Sequence, residues 1–179
     1  TTFDHADIYG DYTTEADFGK AFQVEDKIFV IDDQRGLLQL IDGQLQLITD
    51  AASLLGKNIF VLEAWDDNHL LLGCRNTGFF LLNHAGLQPF ATDIDERLKQ
   101  ALLYNSKMLR NGSLAIATVR DGVFLLNKQG KLLNHLNISS GLLNDNVRAM
   151  YEDPQQGLWL ALDHGLARVE ASSAISLYN

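Results

Sequence analysis

The chain has 179 residues, enough for one domain or for part of a larger protein. Its formal charge of -9 argues against non-specific nucleic-acid binding and against anionic membrane surfaces, because both need an excess of cationic groups. A single cysteine excludes an internal disulfide, and no apolar run approaches the ~20 residues of a membrane-spanning helix. The apolar fraction of 46% is ordinary for a packed globular protein and indicates no particular ligand.

The first 22 residues differ from the remainder of the chain. Thr14, as an N-cap with Asp17 three residues later, predicts a helix over 14–22. A competing interpretation makes residues 16–26 the first strand of a repeat unit. Both interpretations stay open, and under the first one the opening repeat unit lacks its first strand.

Four units of similar length follow this segment. Each has a short apolar run, a polar turn, a glycine and a second apolar run. The anchor glycines are Gly36, Gly78, Gly122 and Gly165, which lie 42, 44 and 43 residues apart. The first three are followed by a second glycine, whereas Ala171-Ser172-Ser173 fills that turn in the last unit. Such regular spacing indicates an internal structural repeat.

The repeat unit has the length and punctuation of a β-propeller blade. Its apolar runs span four to six residues between Gly, Asn and Asp, which favours strands over helices, and each unit holds about four of them. We therefore predict an all-β chain, a partial or open propeller of about four four-stranded blades behind a short N-terminal strand or helix segment. The expected units are 1–22 (leader), 23–57, 58–100, 101–145 and 146–179.

The last unit carries the most specific sequence pattern. It has a Gly-Leu-x-x-Asn segment from Gly141, the pair Glu152-Asp153, Gly-x-Leu-Trp ending at Trp159, and Gly-Leu-x-Arg ending at Arg168. This pattern closely resembles the two-component regulator propeller repeat. The other three units keep the spacing and lose parts of the pattern. The resemblance covers residues 23–179.

The resemblance implies a bacterial sensor. Such repeats form the periplasmic half of membrane receptors whose outputs are kinases, DNA-binding modules or nucleotide cyclases, and known ligands of the family lean towards oligosaccharides. It therefore implies a periplasmic location and an oligosaccharide or other small ligand as partner. Because the sequence has no Gly-x-Ser-x-Gly, P-loop or Gly-x-Gly-x-x-Gly motif, we expect no enzyme activity and no cofactor. None of the output modules is present in this chain.

The leader resembles a different family. Phe3-Asp4-x-Ala6-x-x-Tyr9-Gly10 is similar to a strand of aldo-keto reductases, in which the positions of Asp4 and Tyr9 are catalytic. Where that family has its catalytic Lys this chain has Ile31-Asp32-Asp33-Gln34, and the partner His is also missing. A closed (β/α)₈ barrel needs about 200 residues or more, so we expect no reductase activity. The juxtaposition suggests a chimeric chain.

Four side chains are candidates for binding a ligand at one mouth of the propeller. They occupy the turn between the two apolar runs of each unit, which lies on one propeller face: Arg35, Arg75, Arg120 and His164. A ring of donors could bind an acidic or sugar ligand, and the competing interpretation is a solvated rim.

No metal site is expected. The five histidines, His5, His69, His84, His135 and His164, show no metal-ligand spacing. The acidic pairs Asp32-Asp33, Asp66-Asp67 and Glu152-Asp153 lack the calcium-loop pattern and are interpreted as solvated turn carboxylates.

Three hypotheses of function remain. The first is a ligand-binding sensor fragment, which we also expect to self-associate because an open arc leaves two blade faces uncovered. The second is a chimeric or engineered interaction or folding protein, in which exposed blade edges drive association. The third is an inactive reductase remnant with residual NADPH binding.

Overall fold

The computed structural model describes residues 2–3, 20–75, 77–170 and 173–178, with side chains for 20–75 and 77–170. These residues form strands, one α-helix and short 3₁₀ turns. The strands are β1 (Thr2–Phe3), β2 (Lys20–Val24), β3 (Lys27–Asp32), β4 (Gly36–Ile41), β5 (Gln44–Asp50), β6 (Ile59–Asp66), β7 (His69–Cys74), β8 (Gly78–Asn83), β9 (Gly86–Phe90), β10 (Leu103–Met108), β11 (Leu114–Thr118), β12 (Val123–Leu126), β13 (Leu132–Leu136), β14 (Val147–Glu152), β15 (Gly157–Leu162), β16 (Leu166–Glu170) and β17 (Ser173–Tyr178).

Four antiparallel sheets follow one another along the chain. Blade 1 is β2–β5, blade 2 is β6–β9, blade 3 is β10–β13 and blade 4 is β14–β17, each in sequential strand order. The short strand β1 adds to blade 1 beside β2, with Thr2 opposite Phe22. The prediction of an all-β propeller with four four-stranded blades is confirmed.

Three apolar cores hold the blades together, one at each junction between consecutive blades. Blades 1 and 2 share a core around Phe29 and Leu72, blades 2 and 3 share one around Leu103 and Phe124, and blades 3 and 4 share one around Leu160. Among the described residues no buried cluster joins blade 4 to blade 1. Within the described residues, the four blades are therefore joined by three seams.

The anchor glycines are required by the turns they occupy. Gly36 and Gly122 have φ of 117° and 65°, in the region that side chains disfavour. A Cβ at Gly36 would clash with the carbonyl oxygen of Thr49, and one at Gly122 with the carbonyl oxygen of Leu136. The glycine spacing in the sequence thus records a backbone constraint that recurs once per blade.

The segment before blade 3 contains the helix α1 (Asp95–Ala101). The sequence analysis assigned no helix here, although the acidic first turn at Asp95 and Glu96 suits a helix N-terminus. The helix buries Leu98 and Ala101 in the core between blades 2 and 3. It therefore serves as packing at that seam.

The interpretation of residues 14–22 as a helix is wrong at its C-terminal end. Lys20–Val24 form a strand that pairs with β3, so blade 1 has its first strand and starts before residue 23. Burial of Phe22 and Val24 in the core with blade 2 outweighs the local capping signal. The predicted cap at Thr14 lies outside the described residues, as do Asp4, His5 and Tyr9.

Candidate functional site

One strand from each blade borders a central cavity of about 750 Å³. These inner strands are β2, β6, β10 and β14, the first strand of each blade. Since they are the equivalent strands of four successive blades, their first residues lie at the same end as the turns between the second and third strands. We call this end the rim end. The polar groups around the cavity are Lys20, Gln23, Glu25, Glu63, Tyr104, Asn105, Ser106, Lys107, Arg148 and Tyr151.

Two cations meet one aromatic ring at the rim end. Lys20 Nζ lies 3.5 Å from the ring centroid of Phe60, and the Arg75 guanidinium lies 4.7 Å from it. Lys20 Nζ also donates hydrogen bonds to Asn58 Oδ1 at 3.1 Å and to the Ile59 carbonyl oxygen at 2.8 Å. Burial, followed by the nearby Arg75 charge, lowers the pKa of Lys20. The rim end of this seam therefore holds two neighbouring cations, whose mutual effect the nearby Asp33 only partly offsets.

Tyr104 and Arg148 continue this end of the cavity across blades 3 and 4. The Tyr104 ring lies 6.4 Å from that of Phe60, centroid to centroid. Arg148 Nη2 donates to Asp163 Oδ1 at 2.8 Å, and this bond raises the pKa of Arg148. The aromatic rings supply flat apolar surfaces, and the basic groups supply donors.

Glu63 is a partly buried carboxyl of the cavity wall. It lies in the middle of β6, and its Oε1 accepts a hydrogen bond from Ser106 Oγ at 2.8 Å across the seam between blades 2 and 3. Burial raises the pKa of Glu63, and the Ser106 bond and the Lys107 charge only partly oppose that rise. The carboxyl can therefore take up a proton more readily than a surface glutamate, and so can act as a donor as well as an acceptor.

The four candidate rim residues lie in equivalent turns at the rim end, but their environments differ. Arg35 Nε pairs with Asp32 Oδ2 at 2.6 Å, and Arg75 lies against Phe60 beside the cavity. Arg120 and His164 are exposed. Of the four, the structure places Arg75 next to the cavity cluster; binding by the set stays a prediction.

The repeat signature of blade 4 has a structural role. Asp153 accepts hydrogen bonds from the Gln155 and Gly157 amides at 2.9 and 2.8 Å, and from Trp159 Nε1 and Arg168 Nε, both at 2.9 Å. The Arg168 bond, supported by Gly157 and Trp159, lowers the pKa of Asp153 to about 2 despite opposing desolvation. The signature residues therefore close the first hairpin of the blade.

Glu152 connects blade 4 to blade 3. Its buried carboxylate accepts from the Arg110 amide at 3.1 and 3.2 Å, while Arg110 Nη1 donates to the Asp153 carbonyl oxygen at 3.1 Å. The acidic pair Glu152-Asp153 is therefore engaged in hydrogen bonds, and the general interpretation of such pairs as solvated turn carboxylates is wrong for it. In the sequence, Trp159 and Arg168, which both donate to Asp153, are the signal that this acidic pair is structural.

Two of the described histidines, His69 and His135, make hydrogen bonds or ring contacts. His69 Nδ1 contacts Asp66 Oδ1 at 2.8 Å, and His135 stacks on Phe124 with centroids 4.3 Å apart. Within the ranges that the structure describes, no group of three or more His, Cys, Asp or Glu side chains could hold a metal ion.

A second groove of about 790 Å³ opens between blades 1 and 2 at the end opposite the rim. Phe29 and Leu82 form part of its floor, and Leu47, His84 and Lys128 lie at its edges. The groove mixes apolar and charged groups of both signs, and the residues that the described chain brings to it single out no ligand chemistry.

The sequence analysis missed most of the cavity residues. Glu63 does leave a signal, because it is the one charged residue within the apolar run Ile59-Phe60-Val61-Leu62-Glu63-Ala64-Trp65. Lys20 and Phe60 leave none, since the repeat pattern is weakest in the inner strands. Their convergence becomes evident only when the blades are arranged around a common cavity.

Solved structures with a similar fold include two extracellular domains from B. thetaiotaomicron. The one assigned to the hybrid two-component system BT3049 is 18% identical, with a TM-score of 0.67 over 89% of this chain and 22% of its own. The one assigned to the one-component system BT4673 is 16% identical, with a TM-score of 0.62 over 88% of this chain and 21% of its own. The chain has the fold of these extracellular domains. It spans about a fifth of their length.

An enzyme also shares this fold. Catalytically inactive H270A virginiamycin B lyase from Staphylococcus aureus, solved with quinupristin, is 13% identical, with a TM-score of 0.63 over 92% of this chain and 57% of its own. No protein-family model and no curated protein matches the chain. The resemblance of the leader to aldo-keto reductases, and the chimeric origin inferred from it, therefore gain no support. None of the described helices is long and apolar enough to cross a membrane.

Proposed function

We propose that the chain is a non-catalytic, ligand-binding portion of a bacterial sensor propeller, located in the periplasm or outside the cell. The observation that carries this proposal is the central cavity, to which all four blades contribute one strand. A ligand there would contact every blade at once. Its likeness in fold to extracellular domains of signalling systems supports a sensory role.

The chemistry of the cavity suits an oligosaccharide or another small polar ligand. Phe60, Tyr104 and Tyr151 offer aromatic surface, and Asn105 and Glu63 offer groups that both donate and accept hydrogen bonds. Small-molecule sites commonly combine apolar and aromatic walls with a few placed polar groups. The candidate rim residues Arg35, Arg120 and His164 would then surround the mouth, with Arg75 reaching the cavity wall.

Isothermal titration calorimetry with neutral and acidic oligosaccharides tests this function. We expect saturable binding by one class of sugar, weakened at least about tenfold by Tyr104→Ala or Asn105→Ala, because each removes a contact at the cavity wall. Gln129→Ala is the matched control, since Gln129 is exposed in the turn between β12 and β13. Unchanged affinity in both cavity variants would reject the cavity as the site.

Self-association is a second candidate property, favoured by the uncovered faces of the terminal blades. Ile28 and Leu40, paired across β3 and β4, are each 38% exposed and lie outside the three cores. On blade 4, Tyr151 is 60% and Leu166 46% exposed. A second copy could cover both faces and continue the arc, because a blade normally buries its faces against neighbours.

Light scattering on the full chain and on a version lacking residues 1–19 tests this association. We expect a dimer in both cases, and Leu40→Lys should shift it to monomer by placing a charge on the uncovered face. Leu133→Lys changes an equally exposed leucine on blade 3 and serves as the control. A monomer at all concentrations would exclude the association.

A further inference from the structure

Lys20 and Arg75 form an unusual pair of like charges on the seam between blades 1 and 2. Both lie against the Phe60 ring, Lys20 Nζ at 3.5 Å and Arg75 at 4.7 Å from its centroid. The ring attracts each cation, but the two cations repel each other, more strongly where water is partly excluded. A negative charge close to both cations would relieve this repulsion.

Within the described residues, the nearby Asp33 carboxylate acts on Lys20 and raises its pKa, but this effect is smaller than the opposing effect of Arg75. Lys20 and Arg75 form no ion pair with any carboxylate among the described residues. In contrast, five of the other six arginines each pair with an acidic side chain, namely Arg35, Arg97, Arg110, Arg148 and Arg168, whereas the exposed Arg120 does not. The absence of a partner at Arg75 is therefore not explained by a shortage of acids.

The hydrogen-bonding capacity of the pair is also only partly used. Lys20 has three N–H donors, of which two are directed to Asn58 Oδ1 and the Ile59 carbonyl oxygen. The Arg75 guanidinium has five N–H donors, and no described residue accepts from them. A planar guanidinium group next to an ammonium group can bind two oxygens of one oxyanion.

We propose that Lys20 and Arg75 bind one oxyanion group, a carboxylate, phosphate or sulfate, carried by the ligand of the central cavity. This inference rests on the proposed function, since Lys20 lines that cavity and Arg75 belongs to the rim. The Phe60 ring keeps both cations in place and limits their hydration, which strengthens their attraction for an anion. The ligand would thus enter with its anionic group towards Lys20 and Arg75 at the rim end and its uncharged part towards Glu63.

The pair can be tested with simple anions on the full chain. Sodium phosphate and sodium acetate are titrated against sodium chloride at matched ionic strength, with the backbone ¹⁵N amide resonances of Ile59, Phe60 and Val61 as the readout, because these are present in every variant. We expect saturable shifts with phosphate or acetate, at least about tenfold weaker binding in Lys20→Gln and in Arg75→Gln, and none in the double variant. Phosphate and acetate together distinguish a phosphate or sulfate group from a carboxylate.

Lys57→Gln is the matched control, because Lys57 lies alone over the Phe80 ring at 5.3 Å, without a second cation. Arg75 lies in a turn, so Arg75→Gln tests the site even if Lys20→Gln disturbs β2. Equal phosphate affinity in the double variant, or shifts indistinguishable from those in sodium chloride, would overturn the anion site. If oligosaccharides nevertheless bind in the cavity, the proposed function stands without it; if phosphate saturates and no oligosaccharide binds, the anion site stands and the sugar-binding function fails.

Discussion

Blades 2 and 4 have the same strand order but use their polar residues differently. In blade 4, Asp153 gathers four donors, including Trp159 and Arg168. In blade 2 the corresponding Asp66 binds only local groups at Asn68 and His69. The position of Arg168, three residues after the anchor glycine, is occupied by Leu81 in blade 2. Blade 2 instead places Glu63 and Phe60 on the cavity. The blade with the full signature is thus the more cross-linked, and the degenerate blade carries the candidate site.

The largest effect is expected at Gly73 of β7. A Cβ there would lie 2.8 Å from Leu103 Cδ2 and 2.8 Å from Val61 Cβ, so Gly73→Ala should destabilise the fold by about 1–3 kcal/mol. At the matching position blade 4 has Ala161, and Ala161→Gly should cost only about 0.5–1 kcal/mol. Denaturant unfolding compares the two. A Gly73→Ala variant as stable as the parent would show that the seam between blades 2 and 3 is loosely packed.

Asp153→Asn should lower the melting temperature at neutral pH more than Asp66→Asn does. The pKa of Asp153 is lowered from 3.8 to about 2 in the folded state, so its stabilising effect is complete above pH 3.8 and is lost as pH falls towards 2. The difference between parent and Asp153→Asn should therefore shrink over that range. Thermal denaturation from pH 7 to 2 measures it, and a constant difference would contradict the role of the carboxylate charge.

Glu63→Gln should have the opposite sign and a smaller size. Because burial raises the pKa of Glu63, the unfolded chain ionises this group first, and the folded state loses stability as pH rises above 4.5. The neutral amide avoids that loss, so the variant should melt higher than the parent at pH 7 and equally at pH 4. Differential scanning calorimetry at both pH values measures the two melting temperatures. Lower stability at pH 7 would mean that ionised Glu63 is well stabilised.

The smallest stability effect is expected for Arg148→Gln at the beginning of β14. Its bond to Asp163 joins two partly exposed side chains, and such pairs contribute little to folding. The melting temperature should stay unchanged while affinity for a cavity ligand falls, which separates binding from stability within blade 4. A large drop in melting temperature would assign Arg148 a structural role instead.

The blade repeat could be predicted because it is imposed by local constraints. Gly36 and Gly122 have positive φ and touch backbone, so no other residue fits without strain, and the spacing of such glycines survives in the sequence. The specific signature of blade 4 survives for a similar reason, since the donors of Asp153 must sit at fixed positions around it.

The site could not be predicted in the same way. Lys20 and Phe60 are 40 residues apart and meet only because β2 and β6 are neighbouring inner strands. The first strand of blade 1 was also ambiguous, since a local N-cap pattern competed with pairing to β3. Helix α1 was not anticipated because its stabilisation comes from burying Leu98 between two blades rather than from its own sequence.

The three described seams join the blades as a short linear array, so the blades should not open with equal ease. Blades 2 and 3 each share two cores with neighbours, whereas blades 1 and 4 share one. Nearest-neighbour coupling predicts that amide hydrogens exchange fastest in the terminal blades and slowest in the middle. A ligand that contacts β2 and β14 together would link the two less protected terminal blades. Ligand binding would then slow amide exchange in blades 1 and 4, and this gain in order is a signal that the rest of a sensor could use.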